Sequence, residues 1–209
     1  MTTAKRETYR HGDTRRALIQ AGLDLARAGG PDAVVLREAT RMIGVVPNAA
    51  YRHFADRNAL LSAVSDAALA QVARRMEQEI AALPRRRDPA RGAREQLRAV
   101  GLGYLAFAQE EPGLFRVAFF VPEHLQEAGA PEKSGDSGLT PFTLLSAALD
   151  AMHATGQLPA ERREGAEFLA WSAVHGLAML ANEGPLRALD PVSRQWANEH
   201  VVEMVLRGL

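Results

Sequence analysis

Residue types and spacings that can do chemistry occur at few places in this sequence. Gly135-Asp136-Ser137-Gly138 has the composition of a serine-nucleophile loop. Such a serine needs a histidine and an aspartate carried on other strands, and no segment here shows sustained strand alternation. Asp150-x-x-His153 is the nearest approach to a bundle metal motif. Di-iron bundles use paired Glu-x-x-His, and none of the six histidines has a glutamate three positions before it. A Gly-x-Ser-x-Gly elbow, a Gly-x-x-x-x-Gly-Lys phosphate loop and a His-Glu-x-x-His pair are all missing. The chain has no cysteine, which excludes disulfides, thiolate metal sites and cysteine nucleophiles. We therefore expect no enzyme, no cofactor and no metal. Two stretches remain. Trp171 and His175 stand one helical turn apart, followed by Gly176, so His175 is either a hydrogen-bonded core histidine or a polar contact for a ligand. Val45-Val46-Pro47-Asn48-Ala49-Ala50-Tyr51-Arg52-His53-Phe54 mixes apolar anchors with polar groups that have no evident internal use.

The elements needed to position that second stretch can be read around it. Leu36, Ala39 and Ile43 have helical spacing, and Gly44 supplies a residue that accommodates positive φ at a helix end. Pro47 suits a first helical position, where no N–H need be donated. Two short helices joined by a tight glycine turn make a helix-turn-helix, whose second helix can enter a DNA major groove. Val45, Ala50 and Phe54 are expected to pack inward, leaving Pro47, Asn48, Ala49, Tyr51, Arg52 and His53 outward or lateral.

The run Leu36–Leu61, with Tyr51 and Phe54 three apart and Arg57, Leu60 and Leu61 opening a long helix, resembles the DNA-binding end of the TetR family of transcriptional regulators. The family pattern implies that Tyr51, His53 and Arg57 touch phosphates. It assigns base reading to Arg37, Pro47, Asn48, Ala49 and Arg52. Arg37 can be bidentate to a guanine, whereas Pro47 and Ala49 offer only apolar contact to a thymine methyl. Three departures stand out. Val46 occupies the usual Ser/Thr cap position, Arg57 replaces a common lysine, and Thr40 and Ile43 replace alanines. Trp171, His175 and Gly176 also resemble the Trp-His-Gly signature of one class of C-terminal domain in this family.

The rest of the chain reads as all-α. Asp13 is expected to cap a helix to about residue 28 carrying Leu18, Ala21 and Leu25. A long helix is expected over about 57–83, another over 89–111, a short apolar piece over 114–120, and helices over about 141–155, 160–183 and 191–207. Residues 122–139, rich in Glu, Gly, Pro and Ser, read as a long mobile loop. The expected division is a three-helix helix-turn-helix domain over 1–56, with a basic arm at 1–12, and a larger ligand-binding and dimerisation domain over 57–209.

The formal net charge is zero, which argues against a general nucleic-acid coat protein. Residues 1–66 nevertheless hold ten Lys/Arg against seven Asp/Glu, a net of +3, leaving −3 for 67–209. A basic arm before a helix-turn-helix suits phosphate or minor-groove contact. With a polar N-terminus and no apolar run near the ~18 residues of a membrane span, a cytoplasmic protein is expected. The aromatic set around Tyr104, Phe107, Phe115, Phe119, Met152, Trp171 and His175 is either core or the lining of an apolar effector cavity. The expected protein is a homodimeric DNA-binding regulator, a repressor released from near-palindromic operator DNA by a small, mostly apolar ligand. The alternative is a helical metal-binding or enzymatic bundle. Ala170, Val174, Leu177 and Ala181, with Ala197, Val201, Met204 and Val205, are expected to form the two-fold interface.

Overall fold

The computed structural model describes residues 3–121 and 127–209, with the side chains of 3–13 left outside the description. Every element among the described residues is helical: α1 Thr3–Gly29, α2 Leu36–Met42, α3 Pro47–Tyr51, α4 Arg57–Ala81, α5 Pro89–Glu110, α6 Pro112–Ala118, α7 Pro141–Ala154, α8 Ala160–Arg163, α9 Ala166–Asn182 and α10 Pro191–Gly208, with 3-10 turns between some of them. The all-α reading holds. The basic side chains Lys5, Arg6 and Arg10 lie outside the described residues. The backbone is helical through Asp13, which therefore is not the start of α1.

The chain packs as two compact units. One compact unit comprises Met1–Ala68 and Glu111–Glu123, the other Leu69–Glu110 and His124–Leu209. α6 belongs to the first unit because Gly113 brings it directly onto α1: a Cβ there would collide with the Ala26 carbonyl oxygen and lie 2.8 Å from that of Arg27. Leu114, Phe115 and Val117 of α6 are buried, as are Leu18, Ala21, Leu23 and Ala26 of α1. Ser65 donates its hydroxyl to the Ala118 carbonyl at 3.1 Å, which ends α6 on the first half of α4.

The second unit is arranged around α5, which packs on α7, α9 and α10. Its buried face carries Leu97, Val100, Tyr104 and Phe107, the apolar spacing legible in the sequence. Gly103 lets it approach the second half of α4, where a Cβ would lie 2.7 Å from the Met76 Cα. The helix expected over 160–183 is broken instead at Gly165, which has φ 73°, so α8 and α9 are separate. Arg163 braces that break by donating to Asp150 at 2.6 Å and Glu167 at 2.8 Å. Within the segment read as a mobile loop, residues 136 and 137 are anchored on α4. Glu77 accepts hydrogen bonds from the backbone N–H groups of Asp136 (2.8 Å) and Ser137 (3.0 Å), and from the Ser137 hydroxyl. Among the described residues no helix is long and apolar enough to cross a membrane.

The Gly103 contact gives the first test. A methyl group there must push apart two backbones, not a flexible side-chain tip. Gly103→Ala should lower the unfolding free energy by about 1–3 kcal/mol, read from denaturant titration, despite alanine's higher helix propensity.

Candidate functional site

α2 and α3 are both short, and their junction is set residue by residue. Ala39 and Thr40 of α2 are buried, and the Thr40 hydroxyl donates back to the Arg37 carbonyl at 2.7 Å, so its polarity costs the core nothing unmet. Gly44, at φ 69°, turns the chain, and the Val45 N–H returns to the Thr40 carbonyl at 3.1 Å. Val46 stands at the N-cap of α3 without a side-chain cap hydrogen bond, as its departure from the family pattern implies. Ala50 and Phe54 anchor α3, with 0% and 3% exposure, while Val45 is only half-buried. The Arg15 guanidinium sits over the Phe54 ring at 5.4 Å, a cation–π contact. Asp56 then caps α4 by accepting the Ala59 N–H at 2.8 Å.

This framework leaves Arg37, Pro47, Asn48, Tyr51 and Arg52 exposed, with Ala49 and His53 half-buried. Seven of the eight residues named for this end of the chain thus share the α2–α3 segment and its immediate C-terminal turn. Arg57 is placed differently. Its Nε donates to the Val34 carbonyl at 2.9 Å and its Nη2 to the Pro31 carbonyl at 2.7 Å. Arg116 donates to the neighbouring Gly29 carbonyl at 2.9 Å. Sequence reading missed both arginines as holders of the α1–α2 connector. The signal available was Gly29-Gly30-Pro31, a connector with bare carbonyls.

The aromatic set separates between the two units. Phe115 and Phe119 belong to the first, their rings 5.1 Å apart. Tyr104, Phe107, Met152, Trp171 and His175 belong to the second. There Trp171 Nε1 donates to the Tyr104 hydroxyl at 3.2 Å, and that hydroxyl lies 2.7 Å from His175 Nδ1. Burial pushes the Tyr104 phenol far above its ordinary range and holds the His175 imidazolium below its own. Both shifts favour the neutral side chains, and the donor across the 2.7 Å contact is set by the imidazole tautomer. Phe142, unmarked in the sequence, meets Trp171 edge-on at 6.3 Å. Tyr104, Phe107 and Met152 are buried, while Trp171 and His175 are half-buried. A Cβ at Gly176 would meet nothing within 4 Å. Among the described residues no three His, Asp or Glu side chains gather to hold a metal ion.

Part of the expected two-fold face is turned inward. Ala170, Val174 and Ala181 are buried within the chain, because that side of α9 meets α5 and α10. The exposed apolar side carries Leu169 and Leu180 on α9, and Val192, Trp196 (61% exposed) and Met204 on α10. His200 stacks on Trp196 with ring centroids 4.1 Å apart.

Residues 97–205 match the family described as "Tetracyclin repressor-like, C-terminal domain". No curated protein sequence matches the chain. Among solved structures, a protein of unknown function from Rhodococcus sp. RHA1 superposes with a TM-score of 0.69 at 21% identity, covering 94% of this chain and 95% of that one. RolR, solved with its ligand resorcinol, gives 0.59 at 21% identity over 94% and 89% of the two chains. A TetR-family regulator structure from Mesorhizobium loti MAFF303099 gives 0.59 at 17% identity over 95% and 98%. At these identities the structures establish a shared fold.

Two tests follow from the geometry. Val46→Ser places a hydroxyl acceptor at a solvent-exposed N-cap and should raise stability by about 0.5–2 kcal/mol, seen as a higher urea midpoint at unchanged slope. His175 supplies a pH dependence. Its folded value lies below the ordinary 6.5, so in the window beneath pH 6.5 the unfolded chain binds more protons than the folded one. Its contribution is complete above that window and is lost as pH falls through it. His175→Gln should flatten this part of the melting temperature against pH curve, leaving the region above pH 7 parallel to wild type.

Proposed function

The chain belongs to the TetR family of transcriptional regulators, and on that premise we propose that it is a dimeric repressor released from operator DNA by a small aromatic effector. The observation that carries the reading is the exposed α2–α3 surface on a buried anchor: Ala50 and Phe54 fix α3 from beneath, while Arg37, Asn48, Tyr51 and Arg52 project from the same segment. Tyr51 and His53 take phosphates, and Arg37, Pro47, Asn48, Ala49 and Arg52 read bases. Arg37 fits a guanine edge, and Pro47 and Ala49 a thymine methyl. Such a regulator works in the cytoplasm, where its DNA is.

Dimerisation is assigned to the exposed side of α9 and α10, with Trp196 as its largest exposed side chain. A two-fold contact matches the same patch to itself and sets two α3 helices on half-sites roughly 10 base pairs apart or a multiple of that. The effector site is assigned to Tyr104, Phe107, Met152, Trp171 and His175 of the second unit. An edge of aromatic rings beside a fixed Trp–Tyr–His hydrogen-bond chain suits a small phenol, the chemical class of the resorcinol bound in RolR. Phe115 and Phe119, expected among the lining residues, are assigned to the first unit, where Phe115 is buried and Phe119 half-buried. Release requires that the effector bind the DNA-incompetent conformation more tightly than the competent one, since equal binding shifts nothing.

A gel shift on duplex from the gene's own upstream region tests this reading. Wild type should bind it in preference to random duplex, and millimolar resorcinol or a related phenol should release it. Trp196→Glu should run as a monomer in light scattering at micromolar concentration. It should lose on the order of 100-fold in operator affinity as the two half-sites uncouple. A monomeric wild type, or a variant that stays dimeric, would remove the interface assignment; no operator preference would remove the regulator reading.

A further inference from the structure

We propose that Arg57 serves DNA recognition as a positioning residue that clamps the α1–α2 connector, and not as a phosphate contact. The proposal rests on the DNA-binding reading above and assigns Arg57 a different part in it. The Nε and Nη2 edge of a guanidinium is a rigid fork, and here it closes on two backbone carbonyls, Val34 at 2.9 Å and Pro31 at 2.7 Å.

Those carbonyls sit where the chain leaves α1 and enters α2. Pro31 opens a single 3-10 turn whose closing bond is the Val34 N–H to the Pro31 carbonyl. Val34 is fully buried, and Val35 is already the N-cap of α2. The fork therefore fixes the exit of α1 relative to the first turn of α4, and α2 follows immediately. Arg116 holds the same connector through the Gly29 carbonyl. Gly30, at φ 71°, has no room for a Cβ against that guanidinium. Because α3 is joined to α2 through only the Gly44 turn, any tilt of α2 reaches the base-reading residues directly.

A phosphate contact and a clamp make opposite demands on this side chain. A phosphate contact needs first of all one positive charge, which lysine retains. The clamp needs two N–H groups diverging from one plane onto two carbonyls, a geometry that a single ammonium nitrogen does not reproduce. Arg57→Lys therefore separates the two roles, where Arg57→Ala alone does not.

The test uses the full-length protein, with each variant first confirmed as folded and dimeric. In the free protein, amide hydrogen exchange over residues 36–51 should quicken about tenfold or more in both Arg57→Ala and Arg57→Lys, while α9 stays as in wild type. On DNA both variants should lose about tenfold in affinity for the operator duplex. Affinity for random duplex should hold within about twofold, with an unchanged dependence on salt. The clamp is overturned if exchange over 36–51 is unchanged. It is equally overturned if Arg57→Lys binds like wild type while Arg57→Ala flattens the salt slope by about one charge. Wild type showing no operator preference would instead strike the DNA-binding reading, and with it the recognition role assigned here, whatever the exchange result.

Discussion

A helix of five residues cannot hold itself together. Helix nucleation fixes several dihedral angles for each first hydrogen bond, so isolated helices much shorter than about 12 residues are marginal in water. α3, from Pro47 to Tyr51, lacks even a side-chain cap. Its existence depends on Ala50 and Phe54 being buried against the rest of the first unit, and on the Arg15 guanidinium closing over the Phe54 ring. A helix with no stability of its own takes its position from its supports, so the placement of the exposed Asn48, Tyr51 and Arg52 is set by the buried Ala50 and Phe54 and by Arg15 over the Phe54 ring.

The second unit places polarity inside an apolar bundle under the opposite rule. A buried hydroxyl, indole N–H or imidazole left without a partner costs about 1–3 kcal/mol. The three groups of Tyr104, Trp171 and His175 instead meet one another. Burial raises the phenol's pKa and lowers the imidazole's, so both neutral forms are favoured. Glu77 shows the same economy at the surface of this unit, gathering two backbone N–H groups and a hydroxyl from residues 136 and 137 onto one carboxylate.

Helical periodicity carried the sequence reading far. The buried face of α5, the glycine turn before α3, the inward Ala50 and Phe54 and the uncapped Val46 were all legible from local pattern, because each depends on residues within a turn or two. Places where local pattern misled share a cause as well. Residues 160–183 look continuous because Gly165 is compatible with a helix in sequence, yet it takes φ 73° where Arg163 pairs with Asp150. Ala170, Val174 and Ala181 looked like an interface with a second chain, since small residues suit any close helix contact. α5 and α10 occupy that contact within the chain.

What the sequence determined alone is the helical class, the helix-turn-helix and the residues it exposes, since these follow from the 3.6-residue repeat, from glycine and proline geometry and from short-range caps. What only the tertiary structure decided is partnership over long separations. Arg57 reaches Pro31 and Val34, Arg116 reaches Gly29, Phe115 and Phe119 fall with the first unit, and Tyr104 meets His175. A guanidinium at a helix start looks the same in sequence whether it awaits an anion or clasps a carbonyl. Sequence spacing carries no information about which backbone acceptors the folded chain brings within 3 Å of it, and only the packed arrangement supplies that.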